Sequence, residues 1–306
     1  MKAVFLKARG GPEALMVAEA PTPAPKAGEL LVRVHAAGVT PSELEWVTTW
    51  KTHAGGVRQL PVIPGHEFSG EVLAIGAGVE DLRIGHEVFG MNDWFGDGTH
   101  AEFCVARAGD VAIKPATLDR RLAAAVPISA LTAWQGLFER AGLAPGERVL
   151  IHGAAGSVGL FAVQLSRWRG ATVIGTTSAH NVEFVRGIGT GDVIDYRAQR
   201  FEDAIASVDV VLDTVGGETL ARSWSLLRPG GRLVTVAASA EESGDERVRR
   251  AFFIVEPNRE QLARVGAMIE ANVLWPVVDS VFPLADARLA YTRKPVRGKV
   301  VLDMTA

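Results

Sequence analysis

The sequence is poor in cysteine, in tyrosine and in net charge. Its 306 residues include a single cysteine, Cys104, and two tyrosines. One thiol excludes an intrachain disulfide and a zinc cage built from cysteines, and it is typical of a reducing compartment, so we expect a cytoplasmic protein. A formal net charge of -3 gives no basic footprint, and we expect no nucleic-acid partner.

Long apolar runs and several catalytic motifs are also missing. No stretch approaches the roughly 18 apolar residues of a membrane span, and the apolar run after Met1 is too short for a signal peptide, so we expect no membrane partner. The Gly-x-Ser-x-Gly elbow and the His-Glu-x-x-His zinc helix are absent, which argues against hydrolases. Tyr291 stands three residues before Lys294, so there is no Tyr-x-x-x-Lys pair.

The chain divides into two parts with different sequence patterns, and its length favours two domains. Up to about residue 115 short apolar or alternating runs are cut by Gly and Pro, which predicts a β-rich domain. After Pro115 strands alternate with helices, which predicts an α/β domain with a doubly wound parallel sheet. From about Val273 short strands return, so we expect the tail to rejoin the first domain. The predicted elements include strands at Leu30–Ala36, Gly70–Ile75, Ala101–Ala106, Arg148–His152, Ala171–Thr176, Asp192–Asp195, Asp209–Leu212, Arg232–Val236 and Gly298–Asp303, an apolar helix near Arg121–Gly142 and a helix from Ser157.

The strongest local signal lies at Val149–Leu165, where an apolar strand enters a turn of small residues that opens an amphipathic helix. Gly156 would let backbone N–H groups approach a pyrophosphate, and Gly159 would let the helix pack closely on the sheet. The helix N-terminus favours negative charge. Ala154 stands where the dinucleotide-binding fingerprint Gly-x-Gly-x-x-Gly has its first glycine, so a turn that binds nothing remains an alternative. We predict that the cofactor contacts at this turn are Ala155, Gly156, Ser157 and Val158.

The end of the next strand indicates which dinucleotide binds. An Asp or Glu there would bind a ribose 2′-hydroxyl, but Thr177, Ser178 and His180 occupy this region without a carboxylate. These side chains can donate hydrogen bonds to a 2′-phosphate, and Arg186 and Arg197 are candidates to add charge. We therefore predict NADPH as the cofactor, with a polar loop that binds nothing as the alternative.

A series of short motifs in a fixed order resembles one family from end to end. They are Gly38–Pro41, Pro64–Gly70, Gly98–Glu102, Leu131–Trp134, Ala154–Gly159, Asp195–Arg197, Asp213–Gly217, Leu227–Gly231 and Arg297–Lys299. Together they resemble the medium-chain dehydrogenase/reductase family, in its zinc-free, quinone oxidoreductase-like branch. The resemblance implies a Rossmann NADP-binding domain at 121–261, inserted in a GroES-like catalytic domain at 1–120 and 262–306. It also implies a homodimer.

The resemblance also implies cofactor contacts for particular residues of this chain. Thr132 falls beside the expected nicotinamide, Tyr196 near the adenosine phosphate, and Lys299 at a basic position near the cofactor. Four further positions match segments that line the cofactor in the family. These are Val215, Phe252, Phe253 and Ile254. The two phenylalanines have a nearly equal alternative as core residues. The family more often has Lys or Arg where His180 stands.

The zinc enzymes of the family hold their metal with Cys, His, Glu and Cys, an open site that polarises a carbonyl. This chain keeps His66 and Glu67 but has Thr40 and Ile128 where the cysteines would align. Two such ligands without thiolates make a poor zinc site. We therefore expect no metal.

The same resemblance places the remaining candidate residues on the substrate side of the cleft. Thr40 and Glu43 are the candidate catalytic residues. The candidate substrate-binding residues are Trp46, Trp50, Asn92 and Trp94. The predicted activity is NADPH-dependent reduction of a quinone or an α,β-unsaturated carbonyl by hydride transfer without zinc. An alcohol dehydrogenase with an incomplete metal site, and an NADPH-binding redox sensor without catalysis, are the alternatives.

Overall fold

The structure is a computed structural model that describes residues 1–241 and 243–305, and its strands form three sheets. The strands are β1 Lys2–Leu6, β2 Leu15–Glu19, β3 Glu29–Val39, β4 Glu67–Ile75, β5 Glu87–Met91, β6 Phe103–Arg107, β7 Val111–Ile113, β8 Arg148–His152, β9 Thr172–Thr177, β10 Asp192–Asp195, β11 Val208–Asp213, β12 Leu227–Thr235, β13 Val278–Pro283 and β14 Lys299–Asp303. The strands predicted at Arg148–His152 and Asp192–Asp195 are confirmed with their bounds, and the strand predicted at Ala171–Thr176 lies one residue later.

The first large sheet combines the two ends of the chain. Its seven strands follow the order β13-β14-β3-β4-β5-β7, with β6 also paired to β3. Strand β14 runs antiparallel to β3 and places Val300 opposite Val39. The tail therefore rejoins the β-rich domain, as the change of pattern along the sequence predicts. Strands β1 and β2 form a separate antiparallel pair.

The second large sheet is parallel throughout, with five strands in the order β10-β9-β8-β11-β12. Helices lie between its strands and at its borders. The helices of the whole described chain are α1 Val47–Trp50, α2 Arg120–Ala124, α3 Pro127–Trp134, α4 Ser157–Trp168, α5 Val182–Gly187, α6 Phe201–Ala204, α7 Gly217–Ser223, α8 Glu246–Ala251, α9 Arg259–Glu270 and α10 Ala287–Thr292. Of these, α4 to α7 connect consecutive strands of the parallel sheet. Since the strands run in one direction, their carboxyl ends share one edge of the sheet, where such folds bind ligands.

The single helix predicted near Arg121–Gly142 is wrong, because this stretch contains two α-helices and a π-helical turn. Helix α2 ends before Val126, and Pro127 begins α3. A proline has no N–H to continue a helix and disfavours helical backbone in the residue before it. The π-helical turn Gln135–Arg140 then follows α3 directly.

The predicted domain boundaries fall inside helices. Residue 120 belongs to α2 and residue 262 to α9, a helix that packs on both α3 and β7. The division into 1–120, 121–261 and 262–306 stays a prediction, and within it Glu242 and Ala306 lie outside the described residues. Among the helices of the described ranges, none is long and apolar enough to cross a membrane.

Helix α4 lies directly against the turn that precedes it, and Gly159 permits this approach. A Cβ atom added at Gly159 would lie 2.2 Å from the carbonyl oxygen of Gly153 and 2.8 Å from the Cα of Ala154. Both neighbours are backbone atoms, which cannot rotate away as a side chain could. The position of the α4 N-terminus therefore depends on a glycine at 159.

We predict that Gly159→Ala lowers the free energy of unfolding by about 1–3 kcal/mol, because the added methyl overpacks a rigid contact. The matched control is Gly187→Ala in α5, where an added Cβ has nothing within 4 Å. This control should be neutral or stabilising by up to about 1 kcal/mol. Denaturant midpoints of the two variants check the prediction, and equal midpoints would contradict it.

Candidate active site

Residues of both large sheets line a cavity of about 550 Å³. On one side lie Thr40, which follows β3, Thr132 of α3 and Lys299 of β14. On the other side lies the turn between β8 and α4, at the carboxyl edge of the parallel sheet. A cavity therefore lies where residues of the two sheets meet, and several of the predicted site residues line it.

The turn before α4 presents backbone groups to this cavity. Gly156 is the N-cap of α4, and no side chain caps the N-terminus of this 12-residue helix. Gly156, Ser157 and Val158 line the cavity. A Cβ at Gly156 would meet the carbonyl oxygen of Gly153 at 3.2 Å. The N–H groups that no side chain caps fit a phosphate group, and the turn at Gly156 leaves little room for a side chain.

Two details of this turn differ from the expectation based on sequence. Gly156 has φ -72°, which any residue can adopt, whereas Gly153 has φ +72°. The left-handed conformation thus belongs to Gly153, which the fingerprint does not include. Ala155 is buried, and its carbonyl oxygen accepts a hydrogen bond of 2.9 Å from the N–H of Gly298 in the tail. The tail of the chain therefore contacts the turn directly.

The loop after β9 contains the residues predicted to face a 2′-phosphate. Thr177 is buried, Ser178 precedes the 3-10 turn Ala179–Asn181, and His180 is exposed. Tyr196 is also exposed, and its N–H donates to the carbonyl oxygen of Thr177. The ring of Tyr196 lies under the guanidinium of Arg197. These four predicted residues lie at the end of β9 and just after β10, and none of them is among the residues that line the cavity.

Sequence reasoning missed Arg297 at this loop. Its Nε donates 2.8 Å to the Asn181 side chain, and its terminal nitrogen donates 3.1 Å to the carbonyl oxygen of His180. By contrast Arg186 pairs with Glu183 on its own helix. The motif Arg297–Lys299 was visible in the sequence, but its contact with the loop depends on how the tail folds back.

The segment after α8 forms part of the cavity wall. Phe252, Phe253 and Ile254 line the cavity together with Val215. Phe253 is 5% exposed and also packs in the core between the sheet and its helices. Phe253 therefore belongs both to the core and to the cavity wall, and its contact with a cofactor stays a prediction.

Two of the three predicted tryptophans line the cavity. Trp46 and Trp94 both line it, with ring centroids 5.5 Å apart in an edge-to-face arrangement. The indole N–H of Trp94 donates 3.0 Å to the carbonyl oxygen of Val255. The pair forms an apolar wall that suits a flat conjugated substrate.

Trp50 and Asn92 lie away from the cavity wall. Trp50 is buried in the core beside β3, and its indole N–H donates 2.8 Å to the carbonyl oxygen of Leu44. Asn92 is 1% exposed. Its amide oxygen contacts His66 Nδ1, and its amide nitrogen donates to the carbonyl oxygen of Asp97. Their satisfied hydrogen bonds indicate roles in holding the walls of the cavity rather than in touching a substrate.

Comparisons with known proteins agree with this geometry. A family model described as zinc-binding dehydrogenase matches residues 188–302, and one described as alcohol dehydrogenase GroES-like domain matches residues 26–116. The chain is 32% identical to a protein named probable zinc-binding oxidoreductase, mitochondrial, of Arthroderma benhamiae, over 93% of this chain and 91% of that one. It is 30% identical to the quinone oxidoreductase of Rattus norvegicus, over 95% and 93% of the two chains.

Solved structures give the same answer. The quinone oxidoreductase from Coxiella burnetii matches with a TM-score of 0.89 at 31% identity, covering 99% of each chain. The chain belongs to the medium-chain dehydrogenase/reductase family. Within it the chain is quinone oxidoreductase-like, and the predicted Rossmann and GroES-like fold is confirmed. A mycobacterial structure complexed with NADPH matches with a TM-score of 0.83 at 28% identity, covering 99% of each chain.

The residues at the family's metal position do not fit zinc in this oxidoreductase. Lys299 places its ammonium 2.5 Å from Glu67 Oε1 and donates 2.8 Å to Thr40 Oγ1. The other carboxylate oxygen of Glu67 accepts the N–H of Ile128 at 2.9 Å. Across the described parts of the chain, no cluster of His, Cys, Asp and Glu could hold a metal ion. A cation fixed on the carboxylate, with no thiolate nearby, opposes a second cation at this place.

Glu43, predicted as catalytic, is buried behind the cavity and is not part of its wall. It accepts a hydrogen bond from the hydroxyl of Tyr291, which also contacts His100 Nδ1 at 3.1 Å. Burial raises the pKa of Glu43 from 4.5 to about 8, against the opposing effect of the Tyr291 hydrogen bond. Burial likewise lowers the pKa of His100 from 6.5 to about 4. The enclosure of Glu43 indicates a role in stability, which pH can test.

We predict that Glu43→Gln makes the protein less sensitive to rising pH. Between pH 4.5 and about 8 the folded protein keeps the Glu43 proton while the unfolded chain has released it. Folding stability therefore falls through this window as pH rises, by up to about 1.4 kcal/mol per pH unit. The glutamine stays neutral, so the stability of the variant relative to the parent should improve steadily across the window. Urea denaturation at several pH values measures this difference, and a constant difference would contradict the assigned shift.

Proposed function

We propose that this protein reduces a quinone or an α,β-unsaturated carbonyl with NADPH, without a metal ion. One observation carries the proposal. The uncapped N-terminus of α4 at Gly156 opens on the same cavity as Trp46, Trp94 and Thr40. A phosphate-binding element and an apolar pocket with a hydroxyl thus share one space. When NADPH binds, its nicotinamide supplies the hydride.

The loop after β9 supports NADPH over NADH. Ser178 and His180 stand where a carboxylate would otherwise favour a ribose 2′-hydroxyl. Arg297 adds a guanidinium at the same loop through its contacts with Asn181 and His180. The similar mycobacterial structure is itself complexed with NADPH. We assign Thr177, Ser178, His180 and Tyr196 to the adenosine end, and Thr132, Val215 and Lys299 to the nicotinamide end.

The substrate class rests on the pocket and on the relatives. Trp46 and Trp94 offer flat apolar surfaces, which suit a conjugated ring or enone. Similar proteins in rat and in Coxiella burnetii are named quinone oxidoreductases. Lys299, paired with Glu67, supports chemistry without zinc. The cytoplasmic location and the homodimer predicted from the sequence complete the proposal.

The direct test is turnover of NADPH by the purified protein with benzoquinone, cyclohexenone and a simple alcohol as candidate substrates, together with elemental analysis. We expect oxidation of NADPH by the first two compounds and no stoichiometric zinc. Alcohol oxidation with about one zinc per chain would favour an alcohol dehydrogenase instead. Tight NADPH binding without turnover of any acceptor would favour a sensor.

We predict that NADPH binds at least about tenfold more tightly than NADH, a difference of about 1.4 kcal/mol. The discriminating variant is Ser178→Asp, whose carboxylate should repel the 2′-phosphate and reverse the preference. Ser225→Asp, at an exposed position on another turn, serves as the control for added charge. Fluorescence titration of both cofactors measures the ratios. Equal or tighter NADH binding by the parent protein would refute the assignment.

We predict that Gly156→Val weakens NADPH binding by on the order of 100-fold while the protein stays folded. The valine side chain would occupy the space that the phosphate approaches, whereas φ -72° at this position is compatible with any residue. Gly109→Val is the control, because a Cβ there meets no atom within 4 Å. Titration and circular dichroism read the two effects separately. Parental affinity in folded Gly156→Val would show that the phosphate binds elsewhere.

A further inference from the structure

A continuous chain of polar groups connects the cavity to a buried charge. Thr40 Oγ1 lies at the cavity wall and accepts a hydrogen bond of 2.8 Å from Lys299 Nζ. That ammonium lies 2.5 Å from Glu67 Oε1. Lys299 is 4% exposed and Glu67 is fully buried. Thr40 and Lys299 therefore both belong to the cavity wall, and Glu67 compensates the ammonium from inside the protein.

The surrounding backbone is shaped around this carboxylate. Glu67 Oε2 accepts the N–H of Ile128 at 2.9 Å, at the N-terminus of α3. A Cβ at Gly38 would lie 2.3 Å from Glu67 Oε1, so only glycine leaves room for the carboxylate. Fixed contacts on both oxygens hold the carboxylate, and with it the ammonium, in one place.

The direction of the Lys299 hydrogen bond decides what Thr40 can do. A hydroxyl that accepts from an ammonium still has its own proton to donate. Within residues 1–241 and 243–305, no hydrogen bond donated by the Thr40 hydroxyl is found, and this side chain borders the cavity. The hydroxyl proton is thus available to an acceptor that enters the cavity.

We propose that Thr40, Lys299 and Glu67 form a proton relay that serves the oxygen of the reduced substrate. This inference rests on the proposed function. Hydride from NADPH brings two electrons to the electrophilic carbon, and the carbonyl oxygen becomes an oxyanion. The Thr40 O–H bond breaks as its proton moves to that oxyanion, and the Thr40 oxygen takes a proton from the Lys299 ammonium. After product release a water molecule from bulk solvent protonates the Lys299 amine and leaves as hydroxide, so the net proton comes from the solvent, while Glu67 keeps its charge throughout.

The kinetic test compares Thr40→Val, which keeps the shape of the side chain, with Thr40→Ser, which keeps the hydroxyl. We expect kcat with cyclohexenone to fall on the order of 100-fold in Thr40→Val and to stay within about threefold in Thr40→Ser. The NADPH Kd should be unchanged in both. The solvent deuterium isotope effect on kcat should increase in Thr40→Val, since proton transfer becomes rate-limiting; a purely structural role would not change it. Ser42→Ala, which removes a hydroxyl of the cavity that makes no contact with Lys299, should have a much smaller effect.

Lys299 needs a paired variant, because its removal alone would leave Glu67 buried and uncompensated. The double variant Lys299→Met/Glu67→Gln removes both charges together, and circular dichroism checks its fold. It should lose as much kcat as Thr40→Val. Adding Thr40→Val to it should cause no further loss, because groups that act as one unit are not additive.

A binding measurement tests the relay without turnover. Para-nitrophenol changes its absorbance when it ionises, so its spectrum reports a hydrogen-bond donor that meets its oxyanion. We expect the nitrophenolate to bind about tenfold more weakly to Thr40→Val than to the parent and to Thr40→Ser. If the parent protein reduces no acceptor, the proposed function fails, while this titration still tests the relay.

Three results would overturn the relay. The first is an unchanged kcat and isotope effect in Thr40→Val. The second is a loss confined to the NADPH Kd, which would make Thr40 a cofactor contact. The third is equal nitrophenolate affinity in Thr40→Val and the parent, or an equal loss in Ser42→Ala, either of which would assign the donor to another group.

Discussion

The carboxylate of Glu67 is the constraint on which the architecture of the cavity depends. It stands at the start of β4, binds the first free N–H of α3 through Ile128 and carries the ammonium of Lys299 at the start of β14. A buried charge requires complete compensation, because an unpaired one costs several kcal/mol. Three segments that are distant in sequence must therefore converge on this carboxylate, and the cavity lies where they converge.

The C-terminal tail connects the Glu67 carboxylate to the turn before α4 and to the loop after β9. Immediately before Lys299, Gly298 donates its N–H to the carbonyl oxygen of Ala155 in the turn before α4, and Arg297 binds the Asn181 side chain in the loop after β9. Gly298 has φ +63°, and a Cβ there would lie 2.1 Å from the carbonyl oxygen of Val277. Three consecutive residues thus contact the loop after β9, the turn before α4, and Thr40 with Glu67 at the cavity wall. A displacement of the tail would change all three together.

The sequence predicts best where function depends on local backbone chemistry. The β8–α4 turn could be predicted because strand, small residues and amphipathic helix are contiguous and each has a recognisable pattern. For Glu43 and Trp50 the sequence indicates a position near the cavity, but not whether their side chains point into it. The short turn Pro41–Glu45 decides which side chains face the cavity, and it points Glu43 toward Tyr291.

Contacts between distant segments lie beyond sequence patterns altogether. Lys299 and Thr40 are 259 residues apart, and nothing in either local sequence marks them as partners. Arg297 belongs to a motif that can be recognised in the sequence, yet its contacts with the loop after β9 depend on the path of the tail. Charged residues are ordinarily solvated, so a local pattern cannot tell a surface lysine from a buried one.

The pairing of the Lys299 ammonium with Glu67 also bears on which oxygen the proposed relay can serve. A divalent cation stabilises a strongly basic alkoxide by direct coordination. A hydroxyl backed by the Lys299 ammonium offers one charge-assisted hydrogen bond, which is weaker but can deliver a proton. The oxyanions of a reduced quinone and of an enolate are spread over a conjugated system, and so they need less stabilisation than a localised alkoxide. The proposed relay is therefore matched to conjugated acceptors, and the paired rings of Trp46 and Trp94 offer flat apolar surfaces that suit such compounds.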